Sequence, residues 1–342
     1  MRSAWDVLPE DLRALGWPRD PTHFFGRLQR ISSWNESGPV LAREARELAT
    51  RELECTLPLI TEAIPSTDGS TRLVLTLPSD NARIEAVHMP RQLRGTRARP
   101  RVTVCLSSQV GCAMGCTFCA TARMGLVRNL AAHEIIGQLF AVLRRYGPEN
   151  AQSLNLVFMG MGEPLHNVDA VIRTLDVLCD PAGLGVPPSR ITVSTAGHVA
   201  GLDKLASAKF LPELAVSINA ATDATRRELM PVNKKWNLEA LRAALTRWPK
   251  RPHQKITFEY VLLDGINDSP DDAERLADFV AGFRHIVNVI PFNAWSSIPG
   301  FREPSEERTR AFTDRLHARR CIVTVRRSRG RDIRAACGTL VA

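Results

Sequence analysis

The chain has 342 residues, 44% of them hydrophobic, with 45 Lys and Arg against 36 Asp and Glu for a formal net charge of +9. That is the make-up of an ordinary soluble globular protein with one large core and room for a small satellite domain. No apolar stretch approaches the length of a membrane span, and the acids early in MRSAWDVLPEDL argue against an export signal, so a cytoplasmic protein with free thiols is expected.

Residues 1 to about 53 predict short helices, because apolar positions recur at helical spacing in WDVLPEDLRAL, FFGRLQRI and VLAREARELATREL. Pro18, Pro21, Gly38 and Pro39 punctuate them. TRLVLTLP then alternates apolar and polar, and NARIEAVHMP follows across Ser79 and Asp80, which predicts a strand pair. The run RQLRGTRARPR (91–101) has no periodicity and reads as a loop.

From Val102 the pattern changes to short β-rich runs, each followed by a helical stretch: RVTVCLSS, LNLVFMG, RITVSTAG, PELAVSIN, KITFEYVLLDG and HIVNVIPFN. This alternation predicts six parallel βα units and an α/β fold, a partial (βα)6 barrel of the TIM type, short of the eight units of a closed one. A doubly wound sheet is the alternative, but no G-x-G-x-x-G follows the first strand. The expected organisation is an N-terminal accessory unit over 1–80, a strand and Arg-rich connector over 81–101, the barrel over 102–300 and a C-terminal segment over 301–342.

Arginine is concentrated in the 91–101 run and again from Arg319 to Arg334 in RRCIVTVRRSRGRDIR. Two basic clusters, one just before the cysteine loop described next and one at the far end, suggest a polyanion lying across the site, and nucleic acid is the natural candidate. An acidic membrane surface has no basic amphipathic helix to support it.

Cys112, Cys116 and Cys119 stand as C-x-x-x-C-x-x-C in VGCAMGCTFCATARMG. Thiolates at this spacing hold three corners of a cubane iron–sulfur cluster and leave one iron open to a small molecule. A structural zinc site usually closes at four ligands, typically from two separated C-x-x-C pairs, and a redox dithiol leaves Cys112 unexplained. Polar and small residues follow the other predicted strands. They are Gly160, Gly162 and Glu163 in GMGEPLHN, Ser194 and Thr195, Ser217 and Asn219, and Asn293. The two glycines are read as letting backbone approach a ligand. Any one of the polar groups is as readily a helix cap, but together they suit a zwitterionic, ribose-bearing molecule. Cys55, Cys179 and Cys321 read as structural, the histidines form no metal cluster, and the tryptophans read as packing.

The segments VCLSSQVGCAMGCTFCATARMG, LVFMGMGEPLHN, LAVSINAATDATRRELMPVNKKW, FEYVLLDGINDS, VNVIPFN and VTVRRSRGRDIRAACG resemble the RlmN/Cfr family of radical S-adenosylmethionine (SAM) RNA adenine methyltransferases, most closely its carbon-2 branch. The likeness runs from about Ile84 to the C-terminus. It implies a 4Fe–4S cluster on Cys112, Cys116 and Cys119, with SAM contacted by Gly162, Glu163, Ser194, Ser217, Ile218, Asn219 and Asn293. Cys337 matches the methyl-carrying cysteine, Cys105 the cysteine that resolves the methylated intermediate, and Glu85 a proton acceptor. Asn219 departs from the pattern, since relatives more often carry histidine there.

The reaction so implied consumes two SAM. One methylates Cys337, and the other, cleaved reductively on the open iron, yields a radical that activates the methyl group for addition to the base. A disulfide between Cys337 and Cys105 then releases the product and must be reopened. The expected product is adenosine methylated on carbon 2 in 23S rRNA, with tRNA a further candidate substrate and a flavodoxin- or ferredoxin-type electron donor. The chain is expected to act as a monomer away from membranes. Carbon-8 methylation, another RNA substrate, and a basic RNA-binding metalloprotein without activity are the alternatives. The resemblance also implies that the N-terminal helices grip RNA; it thins there, in HFFGRLQRISSW, and the 91–101 run is longer than usual.

Overall fold

The computed structural model describes residues 2–17, 20–29, 34–35, 38–39, 43–54, 56–91, 101–147, 153–293, 300–326 and 329–341. Cys55 and most of the arginine-rich run, 92–100, lie outside the described residues.

One open sheet organises the molecule. Its strands, in chain order, are β1 (Leu59–Pro65), β2 (Thr71–Thr76), β3 (Arg83–Arg91), β4 (Arg101–Cys105), β5 (Leu154–Phe158), β6 (Ile191–Thr195), β7 (Glu213–Ser217), β8 (Ile256–Leu262), β9 (His285–Pro291) and β10 (Val323–Val325). Each strand pairs with its neighbour in sequence, and β1 and β10 are the two edges. β1 to β4 run antiparallel, and β4 to β10 run parallel. The six expected βα units are therefore present as β4 to β9 in a sheet that does not close, with β10 as a further parallel strand. The strand pair expected before Pro90 is β2 and β3, and β1 extends it.

Parallel strands need long crossovers, and helices supply them. Ala132–Tyr146 leads from β4 to β5, Val168–Cys179 to β6, Val199–Leu205 to β7, Leu238–Arg247 to β8, Pro270–Val280 to β9 and Glu306–Ala318 to β10. Their starts follow local chemistry. Ser269 accepts from the Asp272 N–H at 3.1 Å while Asp272 accepts from the Ser269 N–H at 3.2 Å, a reciprocal cap with Pro270 at the first helical position. Ala132–Tyr146 buries Ile135, Ile136, Leu139, Phe140 and Leu143 and ends at Gly147, whose φ of +104° a side-chain-bearing residue would strain to adopt. Burying a Phe or Leu side chain contributes about 1.5–3 kcal/mol, and Phe140→Ala would cost about 3–5 kcal/mol.

The N-terminal helices Pro9–Ala14, Pro21–Gln29 and Arg43–Glu52 share this core rather than forming their own. Trp5 meets Phe140 edge-to-face at 5.4 Å and donates its indole N–H to the Thr56 carbonyl at 2.9 Å. Arg173 holds Asp11 through its guanidinium and reaches the Asp6 carbonyl at 2.8 Å. No helix among the described residues is long and apolar enough to cross a membrane.

Four arginines of the second cluster pair with acids, while Arg320 and Arg334 are exposed. Arg319 pairs with Glu274 and Asp278, Arg326 with Glu259, Arg329 with Asp68 and Arg331 with Glu303. Among the described residues, the pairing leaves Arg320 and Arg334 as the exposed arginines of this cluster outside those ion pairs. Spacing in sequence cannot foresee these pairings, because every acid involved comes from another element.

Candidate active site

Parallel strands end on one rim, and the candidate residues hang from those ends. After β4 the chain forms a short strand, Gln109–Gly111, paired antiparallel with Leu126–Asn129. The cysteine loop lies between these two strands. A side chain at Gly111 would collide with the Gly125 carbonyl, which instead accepts the Cys112 N–H at 2.8 Å. The Thr117 N–H donates to the Leu229 carbonyl at 3.0 Å, tying the loop to the crossover after β7.

A cleft enclosing about 1020 Å³ opens beside this loop. It is lined by Cys112, Cys116 and Cys119 and by Gly162, Glu163, Ser194, Ser217, Asn219, Asn293 and Cys337. Of the residues expected to contact a cofactor, only Ile218 lies elsewhere: its side chain is fully buried in the hydrophobic core. Its neighbours Ser217 and Asn219 line the cleft.

The glycines are required by contacts between loops. A Cβ on Gly162 would strike the Gln109 side chain at 2.5 Å, and one on Gly160 would strike the Leu106 carbonyl at 2.7 Å. They let two rim loops pack against each other, and both also line the cleft. Glu163 is a clamp in the same spirit. Its carboxylate accepts from the Leu165 N–H at 3.0 Å and the Ala196 N–H at 2.7 Å, joining the β5 and β6 loops, while burial pushes its pKa up to about 6. Asn219 adopts φ +53°, a left-handed conformation that asparagine tolerates better than most residues. Its side-chain oxygen accepts the Val261 N–H at 2.8 Å.

Three thiols with no hard oxygen ligand among them are of the kind that suits an iron–sulfur cluster. Burial pushes Cys112 up to about 12; burial, then the charges of Cys119 and Cys112, push Cys116 far above its ordinary value. Such thiols hold their protons until a metal replaces them. Among the described residues no three His, Cys, Asp or Glu side chains close on the position of a single ion. The cleft also carries an unsatisfied donor, since Asn293 Nδ2 is buried without a hydrogen-bond partner. Thiols, Ser194 and Ser217 hydroxyls and this free amide fit a cluster with a polar molecule beside it.

A second, smaller cavity of about 370 Å³ is lined by Cys105, Cys337, Met159, Arg326, Arg329 and Leu340, among others. Cys337 and Met159 belong to both cavities. Glu85 lies on the same strand face as Cys105: Cys105 pairs with Val87 in register, and Glu85 is two residues further toward the rim on β3. It is fully buried and bonded to Arg72 at 2.7 Å. Burial pushes its pKa up, with Arg72 opposing.

Two arginines not among the candidate site residues, Arg226 and Arg326, complete the site. Arg226 is fully buried and donates to the carbonyls of Ala196 at 2.6 Å and Ile218 at 3.1 Å and to Asn233 Oδ1 at 2.9 Å. It fixes the ends of β6 and β7, and desolvation lowers its pKa to about 10. Arg326 lies 3.7 Å from Glu259, and the charges of Cys337, Glu259 and Cys105 outweigh burial to raise its pKa. The two sit in ATDATRRELM and VTVRRS, whose mixed polar composition does not mark either arginine as special.

Comparison with known proteins agrees with this geometry. Residues 106–280 match the family model of the Radical SAM superfamily. A protein named dual-specificity RNA methyltransferase RlmN from Syntrophobacter fumaroxidans is 44% identical over 322 residues, covering 94% of this chain and 90% of its own. One of the same name from Paracoccus denitrificans is 42% identical over 310 residues, covering 88% and 77%. The crystal structure of a radical SAM methyltransferase from Sphaerobacter thermophilus superposes with a TM-score of 0.88 at 38% identity, over 99% of both chains. With these relatives spanning nearly the whole chain, it belongs to the radical SAM superfamily and, within it, to the RlmN family.

Proposed function

We propose that this chain methylates carbon 2 of an adenosine in RNA, with 23S rRNA as substrate and tRNA as a second one, and that Cys337 carries the methyl group. The observation that carries the reading is the position of Cys337, which lines both the cleft of the three cluster cysteines and the cavity of Cys105. A thiol that first receives a methyl group and later closes a disulfide needs access to two partners, and this one borders both.

The superfamily implies SAM and an iron–sulfur cluster. Cys112, Cys116 and Cys119 would hold the cluster, which with SAM bound supplies methyl groups and one-electron chemistry. The rest falls to side chains of this chain. Ser194, Ser217 and Asn293 offer hydroxyl and amide groups to a ribose or an amino acid moiety. Arg326 keeps a positive charge beside the two thiols, where a thiolate must form before either sulfur can react. Burial pushes Cys105 up to about 12, with the Cys337 charge adding to it and Arg326 opposing, so the sulfur stays protonated until the reaction needs it. Glu85, whose pKa burial raises, is suited to take up a proton released on the Cys105 side. The adenine must leave its stack to enter so narrow a site.

The test is nucleoside mass spectrometry after anaerobic reaction of reconstituted enzyme with SAM, reductant and unmodified rRNA or tRNA. 2-Methyladenosine that disappears in Cys337→Ala supports the reading. 8-Methyladenosine would overturn the choice of carbon, and SAM cleavage without any methyladenosine would overturn the choice of substrate.

A further inference from the structure

The residues on either side of Cys337 are held by two different parts of the molecule. Upstream, residues 329–332 exchange caps with the turn between β1 and β2. Asp332 accepts from the Ser66 hydroxyl at 2.5 Å and the Thr67 N–H at 3.0 Å, and Asp68 accepts from the Gly330 N–H at 2.7 Å. Arg329 donates to the Asp68 carbonyl at 2.8 Å and the Pro90 carbonyl at 2.9 Å. Downstream, the Gly338 carbonyl accepts from the Ala120 N–H, one residue past Cys119, at 2.7 Å. The Leu340 carbonyl accepts from the Thr121 hydroxyl, also at 2.7 Å.

Between these anchors the segment folds on itself. The Ala335 N–H returns to the Gly330 carbonyl at 2.9 Å, and the Thr339 N–H returns to the Ala336 carbonyl at 3.1 Å. Cys337 and Gly338 are the central residues of that second turn, and Gly338 has φ +80°, the value a type II turn asks of its third residue. Cys337 thus rides on a small turn slung between a hairpin post and the cluster loop.

We propose that Asp332 and Asp68 are positioning residues for Cys337: the turn between β1 and β2 is the fixed post that holds the sulfur where it borders both cavities. The inference rests on the reading of Cys337 as methyl carrier and adds to it the element that places it. A thiol tethered at both ends meets each partner at high effective concentration, and releasing one tether enlarges the volume it searches. This also assigns a task to β1 and β2, which stand outside the parallel sheet. Their turn receives the strand-free segment that follows β10 at the opposite edge.

The test uses the cluster-loaded enzyme and two readouts. The first is methylation of RNA. The second is the rate at which diamide closes the Cys105–Cys337 disulfide, followed by peptide mass spectrometry; the two thiols give up two protons and two electrons, and the diazene becomes the hydrazine. Asp332→Ala should lower kcat about tenfold with KM for RNA unchanged, and slow disulfide closure by a similar factor. Asp332→Asn, which keeps an acceptor for Ser66 or Thr67, should recover most of both. Asp68→Ala should add little in the Asp332→Ala background, since both residues serve one latch.

Unchanged kcat and unchanged closure in Asp332→Ala would overturn the proposal. So would a raised KM with normal closure, which would make Asp332 an RNA contact. A wild-type enzyme that yields neither methyladenosine nor the disulfide would overturn the functional reading itself, and the positioning role with it.

Discussion

Arg72 Nη1 donates to Glu85 Oε1 at 2.7 Å across strands β2 and β3, and the Glu85 side chain is wholly shielded from solvent. Arg72 is the strongest influence opposing burial, and the Val341 backbone and the Arg83 charge add to it. Burial raises the pKa of Glu85 and Arg72 pulls it back. Burial thus makes the protonated form of this carboxyl more favourable than it is in an exposed glutamate.

Removing Arg72 should expose that balance. Arg72→Met leaves a buried carboxylate without its cation and should destabilise the protein by about 3 kcal/mol at neutral pH. The loss should shrink as the pH falls and Glu85 takes up a proton. Urea unfolding at two pH values measures both. A neutral effect at pH 7 would mean that Glu85 is already protonated in the native protein.

Glu134 should set an acid limit to stability. It accepts from Arg128 Nη1 at 2.7 Å, Arg128 Nη2 at 2.8 Å and the Ala131 N–H at 2.9 Å, joining the first crossover helix to the strand that flanks the cysteine loop. Burial raises its pKa, but these donors outweigh burial and hold it below the ordinary carboxylate value. The folded pKa lies under the unfolded one, so this stabilisation is present above the unfolded pKa and is lost as pH falls through the folded one. Glu134→Gln should cost about 1–2 kcal/mol at pH 7, a difference that disappears in acid. Thermal unfolding from pH 7 to pH 3 checks it.

Glu259 and Arg326 should behave as a coupled pair. Glu259 also accepts from Asn288 at 3.4 Å, and Asn288 in turn accepts from the Thr324 hydroxyl at 3.0 Å, so the carboxylate ends a polar row across β8, β9 and β10. Arg326 is about a third exposed, which limits the strength of the pair. Arg326→Gln should destabilise by about 1 kcal/mol, and Glu259→Gln should cost less in that background than in the wild type. Additive effects in the double-mutant cycle would show that the two side chains do not interact.

Most of this architecture could be read along the chain, and the exceptions have physical causes. The six β-rich runs became β4 to β9 because each is a short buried strand bounded by polar residues, a pattern that needs no tertiary information. β1 was not foreseen, since LITEAIP is an edge strand whose residues are mostly exposed or half-buried. Nor was β10, which is three residues long. The cysteine triad was legible from spacing alone. The placement of Arg226 and Arg326 was not, because carbonyls or an acid from distant elements position each of them. The contact of Gly162 with Gln109 was not legible, since Gln109 lies on another loop.

The arginine-rich run 91–101 should make electrostatic contact with RNA. Five of its eleven residues are arginine, and each phosphate neutralised releases counterions. Neutralising three of these arginines should weaken RNA binding and reduce the slope of log K against log salt by about 2–3. Binding titrations at several salt concentrations measure the slope. An unchanged slope would place the RNA elsewhere.

The central claim, that the methyl group passes through Cys337, can be tested by label. Enzyme whose Cys337 carries a carbon-13 methyl group is given unlabelled SAM, reductant and RNA for one turnover, and the product nucleoside is weighed. The account predicts that the first methyladenosine formed contains the protein's labelled carbon. Product carrying only the unlabelled carbon of SAM would contradict it.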